Sequence, residues 1–171
     1  MSARPPVRLG PPVDLSVEAE RQTAAEVGLA WKELRRGAGM GALRDYLFGA
    51  GDDALEPGQV DTLDLLAQQD WRMSELADAL RVDPSTATRA VQRLTRAGLA
   101  HRAASHPDGR VVVVSITPLG RERHAAIADR RRETLAVLMA AFEPAERRDL
   151  ASLMTRLVAA LDELAAEFPG R

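Results

Sequence analysis

The sequence predicts a mainly α-helical fold that carries one small β-hairpin. Ala, Leu and Arg are abundant and aromatic residues make up 4% of the 171 residues, a composition that favours helices. Apolar residues recur at helical spacing along most of the chain, whereas the segment 110–116 is rich in β-branched residues and is typical of a strand. A chain of this length is long enough for one domain with a core of its own.

Four helices are predicted in the first half of the chain. The first spans 15–36 and is followed by a glycine-rich break over 37–41 and a short helix over 42–48. Pro57 fits the first position of the third helix, which runs to about residue 69. Ser74 can cap the fourth helix.

The centre of the chain predicts two short helices and then a hairpin. Asp83 as a cap and Pro84 at the first position mark the start of a fifth helix, and Gly98 marks its end. Strands are expected over 99–104 and 110–116, with a turn between them. This order of elements is that of a winged helix-turn-helix, whose second helix enters the major groove of DNA.

The fifth helix separates into an apolar face and a polar face. Four small or aliphatic residues fall on one side and should pack on the preceding helices, namely Ala87, Ala90, Val91 and Leu94. The residues predicted to contact DNA lie on the opposite side, on its flanks or in the first turn: Ser85, Thr86, Thr88, Arg89, Gln92, Arg93 and Arg96. Arg and Gln side chains bind the edges of guanine and adenine, whereas first-turn hydroxyls suit phosphates. The alternative is an exposed helix whose arginines are only solvated, but no acidic residue alternates with them.

The charge of the chain is unevenly distributed. Residues 81–132 contain eleven arginines and four acidic residues, so this segment has a net charge of +7 although the whole chain has −2. Such a split is typical of a module that binds a polyanion. In the hairpin turn, Arg110 is predicted to enter the minor groove and Asp108 to brace it. The alternative for these two residues is an ordinary hairpin turn.

Residues 57–124 resemble the multiple-antibiotic-resistance regulator (MarR) family of bacterial repressors. The resemblance rests on five short motifs in a fixed order rather than on any one of them: Met73-Ser74-Glu75-Leu76-Ala77-Asp78-Ala79-Leu80, Asp83-Pro84-Ser85-Thr86-Ala87-Thr88-Arg89, Leu94-Thr95-Arg96-Ala97-Gly98-Leu99, Asp108-Gly109-Arg110 and Ile116-Thr117-Pro118-Leu119-Gly120. The glycine-rich segment 37–41 and the extra helix after it depart from the family pattern.

The resemblance implies a homodimer held together by the first and last helices. Two long helices, over 118–142 and 144–168, are predicted after the hairpin. The last helix repeats large apolar residues at heptad spacing, namely Leu150, Met154, Leu157, Leu161, Leu164 and Phe168. This row could pack on the first helix of its own chain, but the resemblance favours a seam between two chains. Two-fold symmetry would then place two recognition helices about one turn of DNA apart, on a palindromic operator.

The resemblance also implies a small aromatic or phenolic effector bound near the dimerisation helices. A ring beside a guanidinium suits such a ligand, and the candidates are Trp31, Arg35, Met40 and Tyr46. The alternative for each of the four is core packing or a surface position.

The expected organisation has four segments: a disordered arm over 1–13, an N-terminal dimerisation segment over 14–56, a DNA-binding lobe over 57–117 and a C-terminal dimerisation segment over 118–171. We predict a cytoplasmic DNA-binding transcriptional regulator, a repressor, with no enzymatic activity, no cofactor and no metal. The chain contains no cysteine, which excludes thiolate chemistry. The alternative function is a winged helix that contacts other proteins without sequence-specific DNA binding.

Overall fold

A computed structural model of the chain describes residues 9–51, 54–104 and 112–167. The fold is mainly α-helical with one small antiparallel sheet, as predicted. Its elements follow one another as α1 (Glu18–Arg36), α2 (Ala38–Phe48), α3 (Pro57–Leu66), β1 (Trp71–Arg72), α4 (Met73–Leu80), α5 (Pro84–Arg96), β2 (Ala100–Ala104), β3 (Val112–Ile116), α6 (Pro118–Met139) and α7 (Pro144–Glu167).

The chain divides into two units, one formed by residues 38–134 and one by residues 9–37 and 135–167. The first unit holds the main hydrophobic core. Its fully buried side chains come from helices and strands alike and include Val60, Leu63, Leu66, Leu76, Val91, Leu94, Val114 and Ile127. The two helices of the helix-turn-helix and the base of the hairpin therefore pack around one core.

The sheet has the strand order β1-β3-β2. Strands β2 and β3 form the predicted antiparallel hairpin, in which Ala100 lies opposite Ile116. The two-residue strand β1 pairs with the other edge of β3 and places Trp71 opposite Val114. The indole Nε1 of Trp71 donates a hydrogen bond to the Leu65 carbonyl at 3.1 Å. We did not predict β1, because a strand of two residues has no measurable alternation.

A tight corner joins the hairpin to α6. The Thr117 hydroxyl donates to the Gly98 carbonyl at 2.7 Å and accepts from the Gly120 backbone N–H at 3.0 Å. A Cβ at Gly120 would overlap the Leu99 carbonyl oxygen and lie 2.8 Å from Ile116 Cγ1. The Thr-x-x-Gly motif is thus a packing requirement, because only glycine lets α6 approach the backbone after α5 this closely.

Arginines of α6 bind the end of α2 and the side of α3. Arg130 Nε donates to the Leu47 carbonyl at 3.2 Å. Arg131 Nη1 lies 2.8 Å from Asp64 Oδ2, and its guanidinium sits 5.5 Å from the centroid of the Phe48 ring. These contacts join residues more than sixty positions apart in sequence. They hold the last turn of α2 against α6 and α3, within the unit formed by residues 38–134.

The prediction of a helix break over the whole segment 37–41 is wrong. Helix α1 ends at Arg36 and Gly37 leaves the helical conformation, but the chain is helical again from Ala38 and stays so through Gly39 and Gly41. Glycine costs only about 1 kcal/mol relative to alanine inside a helix. Phe48 of α2 packs against the hydrophobic core and Leu43 is half-buried, so packing of α2 offsets this cost.

Several helix boundaries also differ from the prediction. Ser74 does not cap α4, because the helix begins at Met73, two residues earlier than a cap at Ser74 implies, and its N-cap is Arg72, the last residue of β1. Helix α1 begins at Glu18 rather than residue 15, after a turn in which Asp14 Oδ1 accepts from the Ser16 N–H at 2.9 Å. Helices α3 and α6 end about three residues earlier than expected. Phe168 lies outside the described residues.

The unit formed by residues 9–37 and 135–167 exposes many large apolar side chains. Among the described residues of its helices, α1 buries none and the part of α7 described buries only Ala159. On α7, the exposed fractions are 45% for Met154, 38% for Leu157, 40% for Leu161 and 42% for Leu164. The predicted heptad row is therefore largely uncovered within the single chain.

Candidate nucleic-acid interface

Helix α5 is held rigidly by its apolar face. Ala87, Val91 and Leu94 have no exposed surface and Ala90 is half-buried, as the sequence predicted. Pro84 stands at the first helical position after Asp83, which has extended backbone angles. Gly98 ends the segment in the left-handed conformation, with φ of 71°. A helix anchored in this way presents its outer face in one fixed orientation.

The outer face of α5 carries long hydrogen-bonding side chains. Arg89, Gln92 and Arg96 are exposed. No ion pair or hydrogen bond to another described residue engages these three side chains. Because guanidinium and amide groups on a fixed helix match the acceptor and donor patterns of bases in the major groove, this face is suited to reading DNA.

The first turn of α5 is exposed and has local hydrogen bonds. The Thr86 hydroxyl donates to Asp83 Oδ2 at 3.2 Å, and the Thr88 hydroxyl donates to the Pro84 carbonyl at 2.7 Å. Ser85 is exposed beside them. The backbone N–H groups of Thr86 and Ala87 donate to the Asp83 carbonyl, so the exposed hydroxyls of Ser85 and Thr86 are the groups of this turn that suit contacts to the DNA backbone.

Arg93 differs from the other α5 arginines, because it is paired within the protein. Its Nη1 lies 3.2 Å from Oε1 of Glu56, the residue that precedes α3. We did not single out Glu56 from the sequence. Thirty-seven positions separate the two residues, and no local pattern in the sequence signals such a pair.

Asp108 and Arg110, the predicted contacts of the wing, lie outside the described residues. The paired strands β2 and β3 end on either side of that segment, at Ala104 and Val112. Their predicted role in the minor groove stays a prediction.

The four effector candidates lie on α1 and α2. Trp31, Met40 and Tyr46 have exposed fractions of 47%, 42% and 53%, and Arg35 is also exposed. Trp31 and Arg35 belong to one unit, Met40 and Tyr46 to the other. Their role in binding a ligand stays a prediction.

In the part of the chain that the structure describes, no group of three or more His, Asp and Glu residues lies close enough together to hold a metal ion. No helix there is long and apolar enough to cross a membrane.

A winged helix-turn-helix with an arginine-bearing recognition helix defines a class of DNA-binding proteins. A model of the MarR family matches residues 55–112. The crystal structure of a probable transcriptional regulator from Pseudomonas aeruginosa is 31% identical, with 68% of this chain and 86% of that chain covered and a TM-score of 0.56. The chain belongs to the MarR family of DNA-binding transcriptional regulators, whose members are not enzymes.

Two more distant solved structures share the fold. Streptococcus pneumoniae FabT in complex with DNA is 20% identical, with 86% of this chain and 99% of that chain covered and a TM-score of 0.65. Bordetella bronchiseptica BpsR, whose DNA binding is regulated by 6-hydroxynicotinic acid, is 20% identical, with 78% and 98% covered and a TM-score of 0.59. At this level of identity, both matches show a common fold.

Proposed function

We propose that this chain is a cytoplasmic repressor that binds a palindromic operator as a homodimer. The observation that carries the proposal is the outer face of α5, where Arg89, Gln92 and Arg96 project from a helix whose inner face packs in the core. We assign these three side chains to base edges and the first turn, with Ser85 and Thr86, to phosphates. Thr88 flanks this face, and Asp108 and Arg110 of the wing are assigned to the minor groove.

The dimer is proposed from the uncovered apolar row on α7. Leu150, Met154, Leu157, Leu161 and Leu164 fall within one arc of the helix at about 100° per residue. Ala159, the buried residue of this helix, falls on the opposite side. Because the side of α7 that is covered within the chain is not the side of the leucine row, the row is free to pack against a second chain.

A two-fold dimer accounts for the form of the operator. Each subunit presents one α5, and a two-fold axis relates the two copies so that both recognition helices meet equivalent half-sites. Half-sites separated by about one turn of DNA would be read together, and each subunit would contribute its own contacts. Repression follows if the operator overlaps the site where transcription begins.

The first experiment measures binding of the purified protein to duplex DNA taken from beside its own gene. Fluorescence anisotropy should show tighter binding to this duplex than to an unrelated duplex of the same length. The affinity should fall steeply as salt rises from about 50 to 200 mM, because each phosphate contact releases counterions. Absence of salt-dependent binding would overturn the proposal and leave the protein–protein alternative.

Effector control is proposed from the candidates on α1 and α2, with the regulation of BpsR by an aromatic acid as support. Aromatic acids or phenols should release the protein from DNA, and a hundredfold loss of affinity requires about 2.7 kcal/mol of differential binding. Peroxide at mild concentration should have no effect, since the chain contains no cysteine. Chelators should have none either, since no cluster of metal-binding side chains was found among the described residues. Trp31→Ala should abolish the response to the ligand without weakening DNA binding. An unaltered response would exclude Trp31 from the ligand site.

A further inference from the structure

The ion pair between Glu56 and Arg93 connects the recognition helix with the start of α3. Arg93 Nη1 and Glu56 Oε1 are 3.2 Å apart, and their side chains are 52% and 68% exposed. An ion pair this exposed contributes little to folding. Its main effect is therefore on the charge of α5, because it neutralises one of the arginines that this helix presents to its surroundings.

The pair turns one α5 arginine towards the protein. Arg93 lies on the flank of the outer face, next to Arg89 and Arg96, which are not engaged by other described residues. A guanidinium bound to a carboxylate has already exchanged part of its hydration and counterions for that partner. It cannot bind a phosphate and displace the counterions of the DNA there unless it first leaves Glu56.

The surroundings give Arg93 room to change partners. A groove of about 560 Å³ lies beside the pair and is lined by Glu56, Arg93, Arg96, Leu99 and Leu119, among others. Arg93 is four rotatable bonds long and half exposed, so its guanidinium can swing across this open space without disturbing the buried side of α5.

The position of Glu56 is set by the backbone rather than by the ion pair. It is the N-cap of α3, and its backbone N–H donates to Gln59 Oε1 at 2.9 Å. Gln59 is itself 7% exposed. The carboxylate is thus held beside α5 by the start of a packed helix, and a neutral side chain of the same length can replace it without moving the backbone.

We propose that Glu56 is a built-in competitor of DNA for Arg93, which keeps the affinity and the salt dependence of operator binding below what the α5 arginines could provide. The proposal rests on the proposed use of the α5 face for DNA. When Glu56 is neutral, Arg93 becomes available to a phosphate of the operator. Glu56 is therefore a positioning residue that tunes binding from outside the interface.

The test measures the salt dependence of operator binding for the intact protein and four variants. Glu56→Gln should tighten binding. It should also steepen the slope of log affinity against log salt by about 1.8, which is about 0.9 for the Arg93 of each subunit, so that the gain over wild type shrinks about 12-fold between 50 and 200 mM salt. Arg93→Gln should have little effect on the slope when it is made alone. In the Glu56→Gln background, it should flatten the slope by about 1.8. Asp129→Asn, which removes a carboxylate from an exposed ion pair with Arg132 on α6, is the matched control and should not steepen the slope.

Three results would overturn the inference. If Glu56→Gln tightens binding to the same extent with and without Arg93→Gln, Glu56 acts by general repulsion of the DNA, which salt also screens, and not through Arg93. If Glu56→Gln weakens binding, Glu56 orients Arg93 for DNA rather than withholding it. If the wild-type protein shows no salt-dependent binding to duplex DNA, the proposed function itself fails, and this outcome is distinct from the other two because it appears before any variant is made.

Discussion

The exposed leucine row of α7 makes a quantitative prediction about assembly. Leu157 and Leu161 are 38% and 40% exposed in the single chain. Full burial of a leucine contributes about 1.5–3 kcal/mol. Burying the part of each side chain that is still exposed would therefore contribute roughly 1 kcal/mol, and only a partner can bury it. Replacing both with Glu removes this contribution from four leucines of a two-fold dimer. It also forces four carboxylates into an apolar seam, where each unpaired charge costs several kcal/mol.

The lost leucine burial and the cost of the buried carboxylates together exceed about 10 kcal/mol. This is the binding free energy of a dimer with a dissociation constant between micromolar and nanomolar. In the single chain, the same substitutions are tolerated, because side chains about 40% exposed can turn to water and Glu has a helix propensity close to that of Leu. We therefore expect a folded monomer, or aggregate where the rest of the apolar surface stays uncovered.

The assay is multi-angle light scattering at micromolar concentration, with circular dichroism as the check of folding. Ser152→Glu combined with Ala166→Glu adds the same charge at exposed positions on the opposite side of α7 and is the control, which should stay dimeric. A Leu157→Glu, Leu161→Glu variant that remains a stable dimer would refute the reasoning and place the row against its own chain. A variant that no longer folds would refute it as well, because the row would then belong to the core of the single chain.

Three further predictions concern the wing, the corner before α6 and the surface of α3. Arg110→Ala should weaken operator binding by about 1–3 kcal/mol in a gel-shift titration without changing the melting temperature, and unchanged affinity would exclude the minor-groove role. Gly120→Ala should destabilise the fold by about 3 kcal/mol in urea unfolding, since its Cβ would meet Ile116 Cγ1 at 2.8 Å and overlap a backbone carbonyl, whereas Gly58→Ala, with nothing within 4 Å, should not destabilise it. Burial, followed by repulsion from Asp64, raises the pKa of Asp61, so the folded state binds this proton more tightly than the unfolded state and the ionised carboxylate disfavours folding. Asp61→Asn should therefore stabilise the fold at pH 7 by less than about 1 kcal/mol, which is measured as a higher melting temperature. This gain should shrink as the pH falls through the pKa of Asp61. A gain independent of pH would contradict burial and repulsion as its cause.

The sequence predicted those parts of the fold that depend on local chemistry. Asp83 occupies the N-cap position of α5 as predicted, although its side chain makes no capping hydrogen bond to the helix backbone. Pro84 begins the helix and Gly98 follows its end, because proline geometry and left-handed glycine act within a few residues. The two faces of α5 followed from helical periodicity, since Val91 and Leu94 lie on the buried side.

Features that depend on contacts between distant segments could not be predicted. The strand β1 exists because Trp71 finds a partner in Val114, forty-three positions away. Arg131 binds Asp64 across sixty-seven positions, and Arg93 binds Glu56 across thirty-seven. In each case the pair is fixed by the packing of whole helices and strands, which periodicity along the chain does not encode.

The measurement that tests the central claim most directly is operator affinity after removal of two side chains from the outer face of α5. Arg89→Ala combined with Gln92→Ala should lower the affinity for DNA from beside the gene by about 800-fold or more, because the dimer loses four contacts to bases and each contributes at least about 1 kcal/mol. Circular dichroism should be unchanged, since both side chains are exposed. Arg148→Ala, which removes one charge from α7, should bind as the wild-type protein does. A double variant that binds within twofold of wild type would contradict the claim that α5 reads the operator.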